Sequence, residues 1–380
     1  MIIRTVTVFD KITVENYKEK LKKAAIFLDE KEKFLKEHNI TLQTKRVSCS
    51  LFDSVKEELH KNEYLKFFKE VNEYCKEIGI TFFNPGTLDL DSHIQIIDLL
   101  PEIMMECDTF NTSLRIIRDE SEFQFKKFLQ AAELFERLVK SDYHSTFRFS
   151  INANCPELIP FYPVSYYKGE EPRYAVGIQL ATLVNELLDD SKDFDEIFRD
   201  LFDKVNERVK KLESLIVKNY DKYAYEGIDT SFAPMVHEKD SIGKAYERIL
   251  KKPVGSLGTL SVTSNFTKIM KSLEIKKTGY CGIMLAILED KILAKRFEEG
   301  FLDIQKLMAY STVCACGLDT IPVSSKVTRE EIAMIYSDIN TLAFKHNKPL
   351  TARLMSILDS KPGDMTSFNS PFLTNTKLVI

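Results

Sequence analysis

The sequence predicts an α/β protein, and two observations predict it. Runs rich in β-branched residues and of strand length alternate with amphipathic segments of helix length along the 380 residues, and glycine, proline or asparagine marks several of the turns. Strands separated by helices of this length usually pair in parallel through crossovers. With 44% hydrophobic residues, the chain can bury one large core or two smaller ones.

The alternation is clearest in the first 153 residues. Ile2–Val8 alternates as a strand, and Val14–His38 carries apolar residues at the helical period. The same signals predict, in order, strand Ile40–Ser48, helix Val55–Ile78, strand Ile80–Phe83, helix Ile94–Met104, strand Thr109–Leu114, helix Ser121–Lys140 and strand Thr146–Ala153. Regular crossovers of this kind build a largely parallel sheet.

Residues 154–173 are predicted to form a long irregular loop. Four prolines, Pro156, Pro160, Pro163 and Pro172, exclude a regular helix or a central strand there. Long loops of this kind are usually functional lids or domain boundaries. The tyrosines of the loop, Tyr162, Tyr166 and Tyr167, suit a half-wet pocket wall or the interface of a homo-oligomer.

The second half of the chain continues the pattern less regularly. Helices are predicted at Tyr174–Leu188 and Phe194–Lys218, and Ser241 is predicted to cap a helix that ends at Leu250. The apolar runs Gly282–Leu288 and Leu307–Val313 are interpreted as strand-like, each ending in polar residues. Around Arg353, alternation places Thr351, Arg353 and Met355 on one face of a further strand.

Composition disfavours several classes of function. The net charge of −4 and the interleaving of lysines with acids disfavour nucleic-acid binding. No stretch has the roughly 18 apolar residues that a membrane span needs. The N-terminus reads as a strand and not as an export signal, so we expect a cytoplasmic protein. The seven cysteines do not suggest a disulfide framework, and the spacing of Cys314 and Cys316 is not that of a zinc knuckle.

Polar residues at predicted strand ends are the first candidates for a site. In α/β proteins, ligands meet polar groups beyond the carboxyl ends of strands. Asp229 and Asp319 hold such positions and could act as general bases, although capping the next turn is an equal alternative. Ser231 lies in the same polar segment as Asp229 and is a candidate for contacting the substrate. Cys314 is either a nucleophile or, more commonly for such a residue, a buried core thiol.

Further candidates would bind an anion or move a proton. Arg353 inside a strand needs a carboxylate or an anionic substrate as partner. His237 in a polar loop could transfer protons at neutral pH, although a lone loop histidine is more often solvated. A turn that contains Gly255, Gly258 and Thr259 precedes a predicted helix. It is either an anion-binding site or an ordinary helix start. Asn154 could line a pocket from the irregular loop.

Several segments together carry a resemblance to a known family. They are ANCPELIPFYPVSYY, GSLGTL, GYCGIMLAILEDKILAKR, LMAYSTVCACGLDTIPV and KPLTARLMSIL, after an N-terminal IRTVTVF strand. In this order they resemble the uncharacterised family called domain of unknown function 711, which is related to uncharacterised protein family 0210. The similarity extends over nearly the whole chain.

The resemblance implies a fold and no established activity. The related family looks like the ten-stranded α/β barrel of pyruvate formate-lyase and other glycyl radical enzymes. It does not imply radical chemistry here, because Gly363 in KPGDMTSF lacks the setting of a radical glycine and Cys314 and Cys316 are not adjacent.

The sequence therefore predicts a single α/β barrel domain over residues 1–380 with a pocket at one mouth. The first hypothesis is a non-radical enzyme that acts on a small anionic metabolite. Its catalytic residues would be Asp229, Asp319, His237 and Cys314; its substrate-binding residues would be Arg353, Ser231, Asn154, Gly255, Gly258 and Thr259. A ligand-binding or regulatory barrel and a structural homo-oligomer are the alternatives. No motif names a cofactor or a metal.

Overall fold

A computed structural model describes residues 2–218 and 222–378. The described strands are β1 Ile2–Phe9, β2 Thr41–Ser48, β3 Phe82–Asn84, β4 Thr87–Asp89, β5 Thr112–Arg115, β6 Phe149–Ala153, β7 Arg173–Gln179, β8 Ala224–Asp229, β9 Gly317–Pro322 and β10 Leu350–Met355. The described α-helices are α1 Tyr17–Glu37, α2 Leu51–Glu58, α3 Tyr64–Glu77, α4 Ile94–Glu106, α5 Phe125–Ser141, α6 Tyr143–Phe147, α7 Leu180–Leu187, α8 Phe194–Lys218, α9 Ile242–Leu250, α10 Thr259–Ser272, α11 Lys291–Glu298, α12 Ile304–Ser311 and α13 Arg329–Lys345.

The strands form two five-stranded sheets that share the same pattern of parallel and antiparallel pairing. The first sheet has the order β3-β2-β1-β7-β8 and the second β4-β5-β6-β10-β9. In each sheet a parallel group of three strands meets a parallel pair through one antiparallel junction, β1 with β7 and β6 with β10. The mixed α/β class is thus confirmed.

Isolated β-bridges connect the regions of the two sheets. Phe83 bridges to Phe110 at one side, and Ala286 bridges to Asp319 at the other. Within the described residues these are isolated bridges and not continuous ladders. The ten strands are present, but a closed ten-stranded barrel stays a prediction.

The proline-rich loop, residues 154–172, fills part of the space between the sheets. On the first sheet, the Thr7 hydroxyl donates to the carbonyl oxygen of Pro160 at 2.9 Å, and the Asn84 amide donates to that of Pro163 at 2.7 Å. On the second sheet, Arg115 donates to the Tyr166 hydroxyl at 2.9 Å. We call this segment the inner loop. Its backbone is irregular, yet most of its residues from Cys155 to Tyr167 are buried.

Three predicted elements were wrong, and one was divided. The run Gly282–Leu288 forms isolated bridges at Ile283 and Ala286 and then enters a 3-10 turn, Ile287–Glu289, so it is not a strand. The first half of the helix predicted at Tyr174–Leu188 is strand β7, because that segment pairs with β1 over its whole length. The run Leu307–Val313 lies largely in helix α12, which Asp303 caps by accepting from the Lys306 N–H. The helix predicted over Val55–Ile78 is two helices, α2 and α3.

None of the helices in residues 2–218 and 222–378 is long and apolar enough to cross a membrane.

Candidate functional site

A cavity of about 280 Å³ lies between the two sheets, and we call it the central cavity. Five charged side chains line it: Arg4, Arg46, Glu289, Asp319 and Arg353. Half of its other lining residues are aromatic or sulfur-containing: Phe82, Phe147, Phe161, Tyr162, Met235, Tyr280, Met284, Cys316 and Phe372. Small apolar residues and prolines make up most of the remainder, and Gln43, Thr44, Asn111 and Thr351 add uncharged polar groups. The charged groups therefore meet in an apolar enclosure, where their interactions are weakly screened.

Bulges in two strands lie at the positions of cavity-lining charges. Arg4 is an extra residue in β1, because Ile3 pairs with Ile178 while Thr5 pairs with Gly177. In β9, Asp319 and Thr320 together oppose the single residue Arg353 of β10. Thr320 has φ of 48°, which is strained for a β-branched residue. Bulges re-aim side chains, and here the bulged residues Arg4 and Asp319 line the cavity.

Arg353 is the centre of an ion-pair network. Its Nε donates to Asp319 Oδ1 at 2.6 Å, and its Nη2 donates to Glu289 Oε1 at 2.6 Å. Arg4 reaches the other oxygen of Glu289 at 3.3 Å. Burial opposes the charge of Arg353, but Asp319 and Glu289 outweigh it and raise the pKa of the guanidinium.

Arg46 differs from the other two arginines. Its Nε donates to the Thr44 hydroxyl at 3.0 Å, and its guanidinium packs against the rings of Phe82 and Tyr162, with centroids 5.2 and 4.8 Å away. Among the described residues, no carboxylate forms an ion pair with it, although it is only 7% exposed. Burial lowers the pKa of Arg46 to about 9. No hydrogen bond joins its terminal nitrogens to the part of the chain that the structure describes, so they are available to bind an anion.

Protonated sulfur and oxygen groups complete the wall. Burial, followed by the proximity of Asp319, raises the pKa of the Cys316 thiol well above its ordinary value. Burial likewise raises the pKa of the Tyr280 hydroxyl, which lies 3.7 Å from Cys155 Sγ. At neutral pH both groups keep their protons, so Cys316 is a weak donor in the cavity and not a thiolate nucleophile.

Two of the residues predicted from sequence, Asp319 and Arg353, lie together in the central cavity. Their partnership is the one expected for an arginine inside a strand. Of the two nearby cysteines, Cys316 lines the cavity, whereas Cys314 is a core residue whose sulfur accepts from the Gly317 N–H at 3.3 Å.

Asp229 and Ser231 are buried and do not line the central cavity, although Asp229 contacts the backbone of Tyr280, which does. Asp229 accepts hydrogen bonds from the Ser231 hydroxyl at 2.6 Å and from the backbone N–H groups of Ser231, Tyr280 and Cys281 at 2.8 to 3.1 Å. Burial raises the pKa of Asp229 while these donors oppose the rise. In this geometry the carboxylate holds the turn that carries Tyr280.

The remaining candidates lie apart from the central cavity. His237 is exposed in a loop. Asn154 lines a separate cavity of about 520 Å³, the peripheral cavity, together with Arg115, Cys155, Tyr166 and Asn347. In the turn before α10, the Thr259 hydroxyl donates to the Ser256 carbonyl and accepts from the Gly255 N–H at 2.9 Å, while Gly258 serves as N-cap.

Sequence reasoning missed Arg4, Arg46 and Glu289. Asp290 is the cap of α11, whereas the side chain of Glu289, one residue earlier, accepts a hydrogen bond from Arg353. A signal existed for Arg4, which interrupts the β-branched and mostly buried run of β1. An arginine there requires a partner or a ligand. Arg46 gave no comparable signal, because β2 is only half buried and also carries Gln43 and Lys45.

No group of three or more His, Cys, Asp or Glu side chains in the described ranges is placed to hold a metal ion.

Comparison with known proteins places this mixed α/β protein in a family. The chain belongs to the family described as Uncharacterised ACR (DUF711), whose model matches residues 1–369. It is similar to a UPF0210 protein of Clostridium perfringens strain 13, with 24% identity over 379 residues, 95% of this chain and 82% of that protein. It is also similar to a UPF0210 protein of Pyrobaculum arsenaticum, with 27% identity over 247 residues, 62% of this chain and 55% of that protein.

Among solved structures, the chain is similar to the class Id ribonucleotide reductase alpha subunit of Actinobacillus ureae. The identity is 11%, the alignment covers 94% of this chain and 84% of that chain, and the TM-score is 0.41. A likeness this low assigns neither activity nor fold.

Proposed function

We propose that this protein binds a small organic anion in the central cavity, with Arg46 as the charged anchor. The observation that carries the proposal is the unpaired charge of Arg46. Three arginines and two carboxylates line the cavity, which leaves one positive charge without a described counter-charge. A buried cation without a partner is costly, and a bound anion would remove that cost.

A non-radical enzyme reaction at the same site is the second candidate. It is favoured by the placement of Asp319 beside the protonated Cys316 thiol, whose pKa Asp319 raises further. In such a reaction Asp319 would be the general base, whereas the raised pKa of Cys316 makes that thiol a poor general acid. We further propose that the two sheets are the halves of the ten-stranded barrel that the resemblance implies.

The anion site is tested with acetate, a carboxylate small enough for any orientation in the cavity. We expect the Tm of the wild-type protein to rise with acetate concentration at constant ionic strength, because a ligand that binds the folded state stabilises it by mass action. Arg46→Met should abolish this rise. Arg115→Met is the matched control: Arg115 also packs on a tyrosine ring and forms no described ion pair, but it lies in the peripheral cavity.

An acetate response that is absent from the wild type, or that persists in Arg46→Met, would contradict the proposal. A response that is lost in Arg115→Met as well would assign the effect to general charge and not to the central cavity.

A further inference from the structure

We infer that the anion bound at Arg46 is a hydrophobic monocarboxylate, a compact acid whose body is an aromatic ring or a group of similar size. This inference rests on the proposed anion site and specifies its ligand. Three properties of the cavity lead to it: its charge, the supply of donors and the nature of its wall.

The charge of the cavity fits one negative charge. Glu289 and Asp319 are held by Arg353 and Arg4 within 3.3 Å. Arg46 alone of the five groups has no described partner of opposite charge, so a monoanion makes the cavity neutral. A dianion such as a phosphate ester would leave an excess negative charge beside Glu289 and Asp319, which costs free energy in a buried site.

The geometry of Arg46 fits a carboxylate. Its Nε is already bound to Thr44 at 3.0 Å, and two rings pack against the guanidinium. The terminal nitrogens remain as a planar pair of donors. A planar pair of this kind matches the two oxygens of a carboxylate through parallel hydrogen bonds.

Most side-chain donors of the cavity wall are already bound within the protein, including the Gln43 amide, which donates to the Met235 sulfur at 3.3 Å. The hydroxyl of Tyr162 donates to a carbonyl oxygen of β2 at 2.6 Å, and that of Thr351 donates to the carbonyl oxygen of Cys316 at 2.8 Å. Thr44 donates to a carbonyl oxygen of β1 at 2.7 Å, and the Asn111 amide donates to a nearby carbonyl at 3.2 Å. A sugar acid or a phosphate would bring oxygens that these groups do not satisfy, and unpaired buried oxygens are costly.

The wall offers apolar contact instead. The rings of Phe82, Phe147, Phe161 and Phe372 and the thioethers of Met235 and Met284 surround the charged groups. The cavity of about 280 Å³ has room for a ligand of roughly ten non-hydrogen atoms, taking about 30 Å³ for a water-sized group. An apolar body that fills it gains the burial free energy of its surface.

The test compares four probes by isothermal titration calorimetry on the full-length protein: benzoate, glycerate, benzamide and inorganic phosphate. Benzoate shares its charge with glycerate and its shape with benzamide. We expect benzoate to bind about tenfold or more tightly than each of the other three, because each lacks either the apolar ring or the single carboxylate charge. Arg46→Met should weaken benzoate binding about tenfold or more, and Arg115→Met should leave it unchanged.

The outcomes separate this inference from the proposed site. Glycerate or phosphate binding as tightly as benzoate, with loss of that binding in Arg46→Met, would overturn the ligand class and leave the anion site intact. Equal binding of benzamide and benzoate would overturn it too, because the charge would then play no part. If none of the probes binds, or if benzoate binding persists in Arg46→Met, both the ligand class and the site are wrong.

Discussion

Arg46 and Arg353 line the same cavity and are buried to a similar degree, 7% and 6% exposed, but their surroundings differ. Arg353 lies between two carboxylates at 2.6 Å. Arg46 has aromatic rings and one hydroxyl as neighbours. A paired buried charge and an unpaired one contribute to stability with opposite sign, because desolvation is offset in the first case and not in the second.

Replacing the two arginines should therefore change stability in opposite directions. Without ligand, Arg46→Met should raise the free energy of unfolding by about 1 kcal/mol, because it removes an uncompensated charge and keeps an apolar side chain of similar length. Arg353→Met should lower it by about 3–5 kcal/mol, because Asp319 is left without its partner. Urea unfolding in acetate-free buffer measures both. A destabilised Arg46→Met protein would mean that Arg46 is already satisfied.

At the residue scale, sequence reasoning could find candidates but could not find their partners. Arg353 could be predicted, because an arginine inside a strand needs a carboxylate. Asp319 was named as a residue beyond the end of a predicted strand, but it lies inside β9, and the run before it lies largely in helix α12. Glu289 is 285 residues from Arg4 in sequence, and no local pattern reports such a contact. For Asp229, the local pattern of polar residues was the same for a catalytic base as for a carboxylate that binds a turn.

At the scale of elements, the turn from Thr278 to Gly282 links β8 to the cavity. Asp229, at the end of β8, accepts hydrogen bonds from the backbone N–H groups of Tyr280 and Cys281 at 2.8 and 3.1 Å. Gly279 precedes them with φ of 75°. A Cβ atom at Gly279 would lie 2.0 Å from Asp229 Oδ2, so the close approach of the turn to the carboxylate requires glycine.

Two glycine substitutions distinguish the stability cost of a left-handed backbone conformation from the cost of a steric clash. Gly79 follows α3 with φ of 77°, and an added Cβ there meets nothing within 4 Å. Gly79→Ala should cost about 1 kcal/mol, the usual cost of the left-handed region. Gly279→Ala should cost about 3 kcal/mol or more, because it also displaces Asp229. Thermal unfolding of the two variants measures the difference; equal losses would show that the turn can move away from Asp229.

Elements were predictable from sequence where local pattern and tertiary pairing agree. Most strands and helices of the first 153 residues were found in the right order, with boundaries that differ by a few residues. The short elements β4 and α6 were not predicted, and α2 and α3 were predicted as one helix. Strand β7 was not found, because its residues lack clear alternation: it pairs with β1 and β8 inside the sheet, and side chains on both of its faces are buried. Helix α12 was predicted as strand-like, because its residues belong to an apolar run of strand length. It is a helix of 8 residues that begins after the capping residue Asp303.

At the scale of the whole molecule, two sheets of mirrored topology face a shared interior that an irregular segment partly fills. The inner loop receives hydrogen bonds from side chains of both sheets, and Phe161 and Val164 belong to an apolar cluster with Tyr280 and Cys316. The sequence marked this segment as irregular through its prolines. Its position inside the molecule depends on contacts far apart in sequence, and composition alone favoured a surface lid or a boundary.

The position of the inner loop predicts an unusual pattern of hydrogen exchange. Loops normally exchange quickly, because they open without disturbing the core. Here, opening residues 156–166 would expose a buried apolar cluster and break contacts with both sheets, so the segment should exchange only when the sheets separate. We expect its amides to exchange roughly a hundredfold more slowly than those of residues 361–372, which also lack helix and regular strand but are mostly exposed. Hydrogen-exchange mass spectrometry resolves the two segments in one experiment. Equal rates would show that the inner loop leaves the interior freely, and the central cavity would then have a mobile wall on that side.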